Sequence, residues 1–223
     1  KQYEVIKRES KKRKIKYIFS PFDEVSLKII KKFNLDFIKI PSGEIDNLPL
    51  LQEIAKLRKK IILSTGMSNI NEIKKALSIL TKKNFSKNNI TLLQCNTDYP
   101  TKFEDVNLYS MLNIQKKFKL NVGLSDHTVG IEASLAAVSM GAKIIEKHFT
   151  INKKLKGPDH KASLDPNELK KLVFSIRNIE KCFGKSIKSP TKRELKNKKI
   201  VRKSIVAKKE IKKGEKFSKE NLT

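Results

Sequence analysis

Short apolar runs alternate with amphipathic stretches along most of the chain. Six runs read as strands: Tyr17–Phe19, Phe37–Ile40, Ile61–Leu63, Ile90–Gln94, Asn121–Leu124 and Ala142–Ile145. Between them, apolar residues recur at i, i+3, i+4 spacing over Val25–Phe33, Leu50–Leu57, Glu72–Lys82 and Leu108–Phe118, which predicts helices. Gly130–Gly141 is a small-residue helix pattern. Asp165, Pro166 and Glu168 open another helix with a cap, a proline at N1 and an acid at N3, and Gly184 ends it. Lys1–Lys16 reads as the tail of a helix already in progress.

Repeated βα units with buried strands predict an α/β fold, a parallel sheet clothed by helices. The sheet could be open and doubly wound, or closed into a (β/α)8 TIM barrel. Polar motifs decide between them. Nearly every strand is followed by one: Ser20-Pro21, Lys39 to Ser42-Gly43-Glu44, Ser64-Thr65-Gly66, Asn96 to Tyr99, Ser125-Asp126-His127 and Lys147-His148. Functional residues at every strand's carboxyl end are the mark of the barrel. An open sheet concentrates them at one switch point, and no Gly-x-Gly-x-x-Gly occurs. Six strands leave the first two of eight βα units missing. Residues 1–184 are read as the partial barrel and 185–199 as a polar, basic linker. Residues 200–223 alternate and turn like the start of a small β-rich domain.

The formal net charge of +27 raises the question of a nucleic-acid partner. The chain is crowded with Lys, Ile and Asn, lacks Trp, and carries no nucleic-acid-binding motif. Its charge reads as lysine on solvated helix faces, with a bias toward anionic substrates. Cys95 and Cys182 have no paired spacing, which suggests a reducing, cytoplasmic setting. No apolar run approaches membrane-span length and no signal peptide opens the chain.

The three histidines carry the chemistry. They lie in Ser125-Asp126-His127-Thr128, Glu146-Lys147-His148-Phe149 and Gly157-Pro158-Asp159-His160-Lys161. His127 and His148 end successive strands, which lie about 4.8 Å apart in a sheet. Two such imidazoles can share a divalent metal whose open positions take water or a substrate oxygen. Lys39, Ser42, Ser64, Asn96 and Ser125 lie at the same mouth, with Lys147, and together suit a phosphate. Each serine alone could equally be a helix cap. Glu44 and Asp159 are candidates for substrate hydroxyls or proton transfer. Asp126 reads as a cap or as the group orienting His127. His160 is open between a structural and a catalytic role.

Five motifs resemble the sialic acid synthases, a family that includes the N-acetylneuraminate, legionaminic and pseudaminic acid synthases. They are Lys39-Ile40-Pro41-Ser42-Gly43-Glu44, Leu63-Ser64-Thr65-Gly66-Met67, the Gly123–Thr128 segment, the Ile145–Thr150 segment and the Gly157–Ser163 segment. The resemblance runs from about Tyr17 to Thr223, and residues 202–223 are similar to the opening of the family's C-terminal antifreeze-like (SAF) domain. It implies condensation of phosphoenolpyruvate with the aldehyde of an N-acylated amino sugar, giving a nine-carbon 2-keto acid and phosphate. It further implies Mn²⁺ on His127 and His148. Lys39, Ser42, Ser64, Asn96 and Ser125 match positions for phosphoenolpyruvate, and Glu44, Tyr99 and Asp159 match positions near the sugar. Lys39, Glu44 and Asp159 are the implied catalytic residues.

The family's homodimer exchanges its SAF domains and supplies an arginine across the interface; no residue here takes that role. The chain alone is expected to be inactive or poorly folded, because an open six-strand piece exposes edges. Three readings compete: another metal-dependent aldolase or synthase acting on a phosphorylated sugar, a basic nucleic-acid-associated protein, and a non-catalytic antifreeze-like protein.

Overall fold

The structure, a computed structural model, describes residues 2–33, 35–82 and 85–223. The chain divides into two units, Lys1–Cys182 and Phe183–Thr223.

The first unit holds five strands: β1 (Phe37–Ile40), β2 (Lys60–Ser64), β3 (Ile90–Cys95), β4 (Asn121–Asp126) and β5 (Ile145–Lys147). All neighbouring pairs are parallel, and the spatial order is the chain order, β1 through β5. Each strand is added on the same side as the last, so there is no switch point. This is the singly wound wall of a barrel rather than an open doubly wound sheet.

Among the described residues, seven α-helices accompany the wall: α1 (Gln2–Lys12), α2 (Glu24–Lys31), α3 (Leu48–Lys56), α4 (Ile70–Leu80), α5 (Leu108–Phe118), α6 (Glu132–Ser139) and α7 (Pro166–Cys182). Their starts are set locally. Asn69 accepts from the backbone N–H groups of Asn71 and Glu72, while Glu72 accepts from the N–H of Asn69, a reciprocal capping box. Asp165 and Glu168 make the same exchange before Pro166.

Period-2 alternation sorts the strand side chains into two faces. One face carries Ile38 and Ile40, Ile61 and Leu63, Ile90 and Leu92, and Val122 and Leu124. All are buried against helix residues such as Leu50, Ile54, Ile73, Leu77, Met111 and Ala137. Each fully buried Leu or Ile contributes about 1.5–3 kcal/mol, so this layer between sheet and helices is the main core. The other face, in register, carries Lys39, Ser64, Leu93, Cys95, Gly123, Ser125 and Glu146. That face becomes the site.

Three expectations need correction. Tyr17–Phe19 is extended but joins no ladder, so among the described residues the wall has five strands and not six. Its rings are used sideways instead: Phe19 lies 5.1 Å from Tyr3 and 5.9 Å from Phe33, centroid to centroid. The fifth strand begins at Ile145 and not Ala142, because Ala142 still donates to the Ala137 carbonyl at the end of α6. In the second unit, the stretch read as a linker contains a helix, α8 (Lys192–Val201). Thr191 and Glu194 form its capping box, a signal legible in the sequence but masked by the lysines around it. Ile200 and Val201 belong to that helix. Among the described residues of 202–223, regular pairing is limited to one antiparallel bridge, Ala207 to Leu222.

Candidate active site

The two histidines continue the inward row past their strands. Ser125 stands opposite Glu146, so His127 and His148, each two residues further on, face the same side. Their ring centroids are 5.2 Å apart with planes at 84°. Tyr99, from the loop after β3, packs on both rings, at 4.2 Å from His127 and 5.4 Å from His148.

The hydrogen bonds orient the rings. His127 Nδ1 lies 2.5 Å from the Asn96 carbonyl oxygen. A carbonyl only accepts, so Nδ1 carries a proton, and Nε2 is the ring nitrogen that can face a ligand. His148 Nδ1 sits 3.7 Å from Asp159 Oδ2. Burial first, and then the neighbouring His127, hold His148 below the usual imidazole range. The neutral ring is the form that binds a metal. Burial pushes the Tyr99 phenol up, so it stays protonated as a donor at neutral pH. Among the described residues no three His, Cys, Asp or Glu side chains converge to hold an ion. Two imidazoles fit the role of an open site completed by water or substrate oxygens.

Beside the imidazoles lies a second group. Glu146 Oε1 accepts from Ser125 Oγ at 2.7 Å and faces Lys39 Nζ at 3.2 Å. Glu146 is absent from the sequence-derived site. Its signal was available: it precedes His148 by two residues in one strand and therefore shares its face. Ser64 Oγ is buried and has no hydrogen-bond partner among the described residues. Ser42 Oγ accepts from the Gly66 N–H at 2.9 Å. A Cβ on Gly66 would lie 2.8 Å from Ser42 Oγ and 2.5 Å from Thr97 Oγ1, so the loops after β1, β2 and β3 converge on this glycine. Asn96 donates its amide to the Asp105 carbonyl at 2.7 Å. Glu44, in the 3-10 turn Ser42–Glu44, accepts from Asn47 Nδ2 at 2.6 Å.

The structure thus gathers His127, His148, Tyr99 and Asp159 in one cluster, and Lys39 and Ser125 in another with Glu146. Ser42, Ser64, Asn96 and Glu44 sit at or just past the same strand ends; among the described residues, their link to either cluster is the Asn96 carbonyl on His127. One sequence expectation fails on strand phase. Lys147 does not join the mouth: it lies between Glu146 and His148 and so faces away, 2.9 Å from Asp126 Oδ2. Of the two roles read for Asp126, the structure shows the capping one: it accepts from the Thr128 N–H, and also from the Thr128 and Ser134 hydroxyls, and does not bond His127. His160 Nδ1 pairs with Thr150 Oγ1 at 2.8 Å, a bond that braces its own loop.

A singly wound parallel wall with its polar groups gathered at the carboxyl ends of the strands defines the α/β barrel class of fold. The chain belongs to the NeuB family, whose profile matches residues 1–188. It is 56% identical over 214 residues to the N,N'-diacetyllegionaminic acid synthase of Campylobacter jejuni, covering 96% of this chain and 64% of that one. It is 36% identical over 223 residues to the N-acetylneuraminate-9-phosphate synthase of Homo sapiens, covering 100% of this chain and 61% of that protein. The crystal structure of the N-acetylneuraminic acid (sialic acid) synthetase from Leptospira borgpetersenii in complex with citrate superposes with a TM-score of 0.79 at 35% identity. That match covers 91% of this chain and 71% of that one. The chain therefore spans somewhat less than two thirds of the curated relatives' length.

Proposed function

We propose that the protein condenses phosphoenolpyruvate with the open-chain aldehyde of an N-acylated amino sugar and water, giving a nine-carbon 2-keto acid and phosphate. The observation that carries the reading is the His127–His148 pair standing beside Lys39, Ser125 and Glu146 on one face. The preferred sugar is a 2,4-diacetamido hexose, because the relative at 56% identity is named for a diacetylated product.

In the reaction, C3 of phosphoenolpyruvate forms a bond to the aldehyde carbon, and the aldehyde oxygen takes a proton to become a hydroxyl. Water adds at C2, and the resulting tetrahedral centre expels phosphate to leave the ketone. His127 and His148 would hold a divalent ion, Mn²⁺ in this proposal, which supplies Lewis-acid polarisation of a carbonyl oxygen. Lys39 presents its ammonium to the anionic substrate, with Ser42, Ser64, Asn96 and Ser125 as further donors. Glu146 holds Lys39 and Ser125 in place for that contact. Glu44, Tyr99 and Asp159 face the sugar hydroxyls, with Glu44 and Asp159 available for proton transfer. We further assign the full protein to the cytoplasm, as a homodimer whose C-terminal antifreeze-like domains are exchanged. The family resemblance supports this, and no helix among the described residues is long and apolar enough to cross a membrane.

The test is phosphate release from phosphoenolpyruvate by the full-length protein with Mn²⁺ and a panel of amino sugars. The diacetamido hexose should give the fastest sugar-dependent release. No release with any sugar from folded, metal-loaded protein refutes the synthase.

Ser64 offers a finer check. Its hydroxyl is buried without a partner, so Ser64→Ala removes an unsatisfied polar group. Stability is expected to hold or rise by up to about 1 kcal/mol, while KM for phosphoenolpyruvate rises about two- to tenfold for one lost hydrogen bond. A lowered melting temperature with unchanged KM would show that the hydroxyl serves the fold instead.

A further inference from the structure

We infer that Asp126 and Lys147 form a clamp behind the two histidines, a pair of positioning residues that sets the spacing of His127 and His148 while hydrogen-bonding neither ring. The inference rests on the reading of those histidines as a metal-binding pair.

Asp126 stands directly opposite Lys147 in the β4–β5 register. Each immediately precedes one histidine. Their side chains are only 0% and 4% exposed, and Lys147 Nζ lies 2.9 Å from Asp126 Oδ2. Asp126 Oδ2 also accepts from Ser134 Oγ of α6 at 2.5 Å, and Oδ1 accepts from both the N–H and the hydroxyl of Thr128 at 2.8 Å. Lys147 donates in turn to the Thr128 carbonyl at 2.6 Å. The residues on both sides of His127 are therefore tied to the residue before His148. The tie runs on the face opposite the rings, out of reach of substrate.

A buried ion pair is a poor source of stability, since apolar residues of similar volume usually serve as well. This pair has a geometric use. Two strand ends joined only at their last ladder bonds could splay. A closed ring of short bonds through residues 126, 128 and 147 prevents it. Ligand pairs need placement within about half an ångström to act together.

The experiment is Mn²⁺ titration by electron paramagnetic resonance of the full-length parent, the double variant Asp126→Asn with Lys147→Met, and Ser134→Ala. The double variant leaves no buried charge unpaired. Its Mn²⁺ affinity should fall about 10- to 100-fold, the usual loss when the groups supporting ligands are removed. Excess Mn²⁺ should restore kcat, with KM for phosphoenolpyruvate unchanged. A general loss of structure would not be rescued in this way. Ser134→Ala keeps the ion pair and trims one support, so a decrease of about two- to tenfold is expected in protein that remains folded. If the double variant folds poorly, this result decides. Parent-like affinity in either folded variant overturns the clamp. A parent that binds no Mn²⁺ overturns the metal reading beneath it, and the clamp with it.

Discussion

Replacing either His127 or His148 with alanine should cut sugar-dependent phosphate release on the order of a thousandfold, the scale at which electrostatic stabilisers of a reaction act. The two rings stand 5.2 Å apart, and no third His, Cys, Asp or Glu among the described residues converges with them. Losing one imidazole leaves a single protein ligand, which is too few to hold an ion in place. The two substitutions differ in their side effects. His127 is buried and donates to the Asn96 carbonyl, so its removal strands an acceptor at about 1–3 kcal/mol. His148 is one-third exposed at the side chain and faces Asp159 only at 3.7 Å, so His148→Ala should keep the parent's melting temperature. The double variant should be no slower than either single one, because the pair acts as a unit. Release within tenfold of the parent in folded His148→Ala would remove the histidine pair from the mechanism.

How much of this was legible in the sequence follows from which signals are local. Strand phase is local: Phe37–Ile40, Ile61–Leu63 and Ile90–Gln94 each fall within observed strands, and His127 and His148 lie just past two others. The alternation rule, applied one residue more carefully, would have put Glu146 in the site and Lys147 out of it. A charge in an apolar run does not itself say which face it occupies; parity does, and it places Glu146 with Ser125 and Lys147 with Asp126. The Tyr17–Phe19 run could not be read correctly from periodicity. Its aromatic residues have the composition of a strand, and only their packing against Tyr3 and Phe33 shows how they are used. The helix at Lys192–Val201 was hidden by composition, since a run this rich in lysine resembles a solvated linker unless Thr191 and Glu194 are read as its cap. Convergence of the loops on Gly66 is a matter of tertiary distance, which no spacing along the chain encodes.

The same distances single out Gly123, where alanine should damage the protein most severely for the smallest change. A Cβ there would stand 2.2 Å from the Ile144 carbonyl oxygen, 3.0 Å from its carbon and 2.7 Å from Leu93 Cδ2. Leu93 is fully buried, and the Ile144 carbonyl is backbone that already accepts from the Leu124 N–H at 3.0 Å. Neither can yield alone, so the methyl must drive β4 and β5 apart. Gly123 does not sit in the left-handed region, and the cost is therefore steric rather than conformational. Overpacking of this kind costs about 1–3 kcal/mol, a fall of roughly 3–10 °C in melting temperature for a chain of this size. Gly43→Ala is the control, because a Cβ there meets nothing within 4 Å. Its melting temperature should match the parent's. Activity of Gly123→Ala should fall further than its unfolded fraction explains, since the seam it opens is the one that carries Ser125 against Glu146, Asp126 against Lys147, and His127 against His148. A Gly123→Ala protein as stable and as active as the Gly43→Ala control would show that the two strands can separate without cost, and that their close approach does not set the geometry of the site.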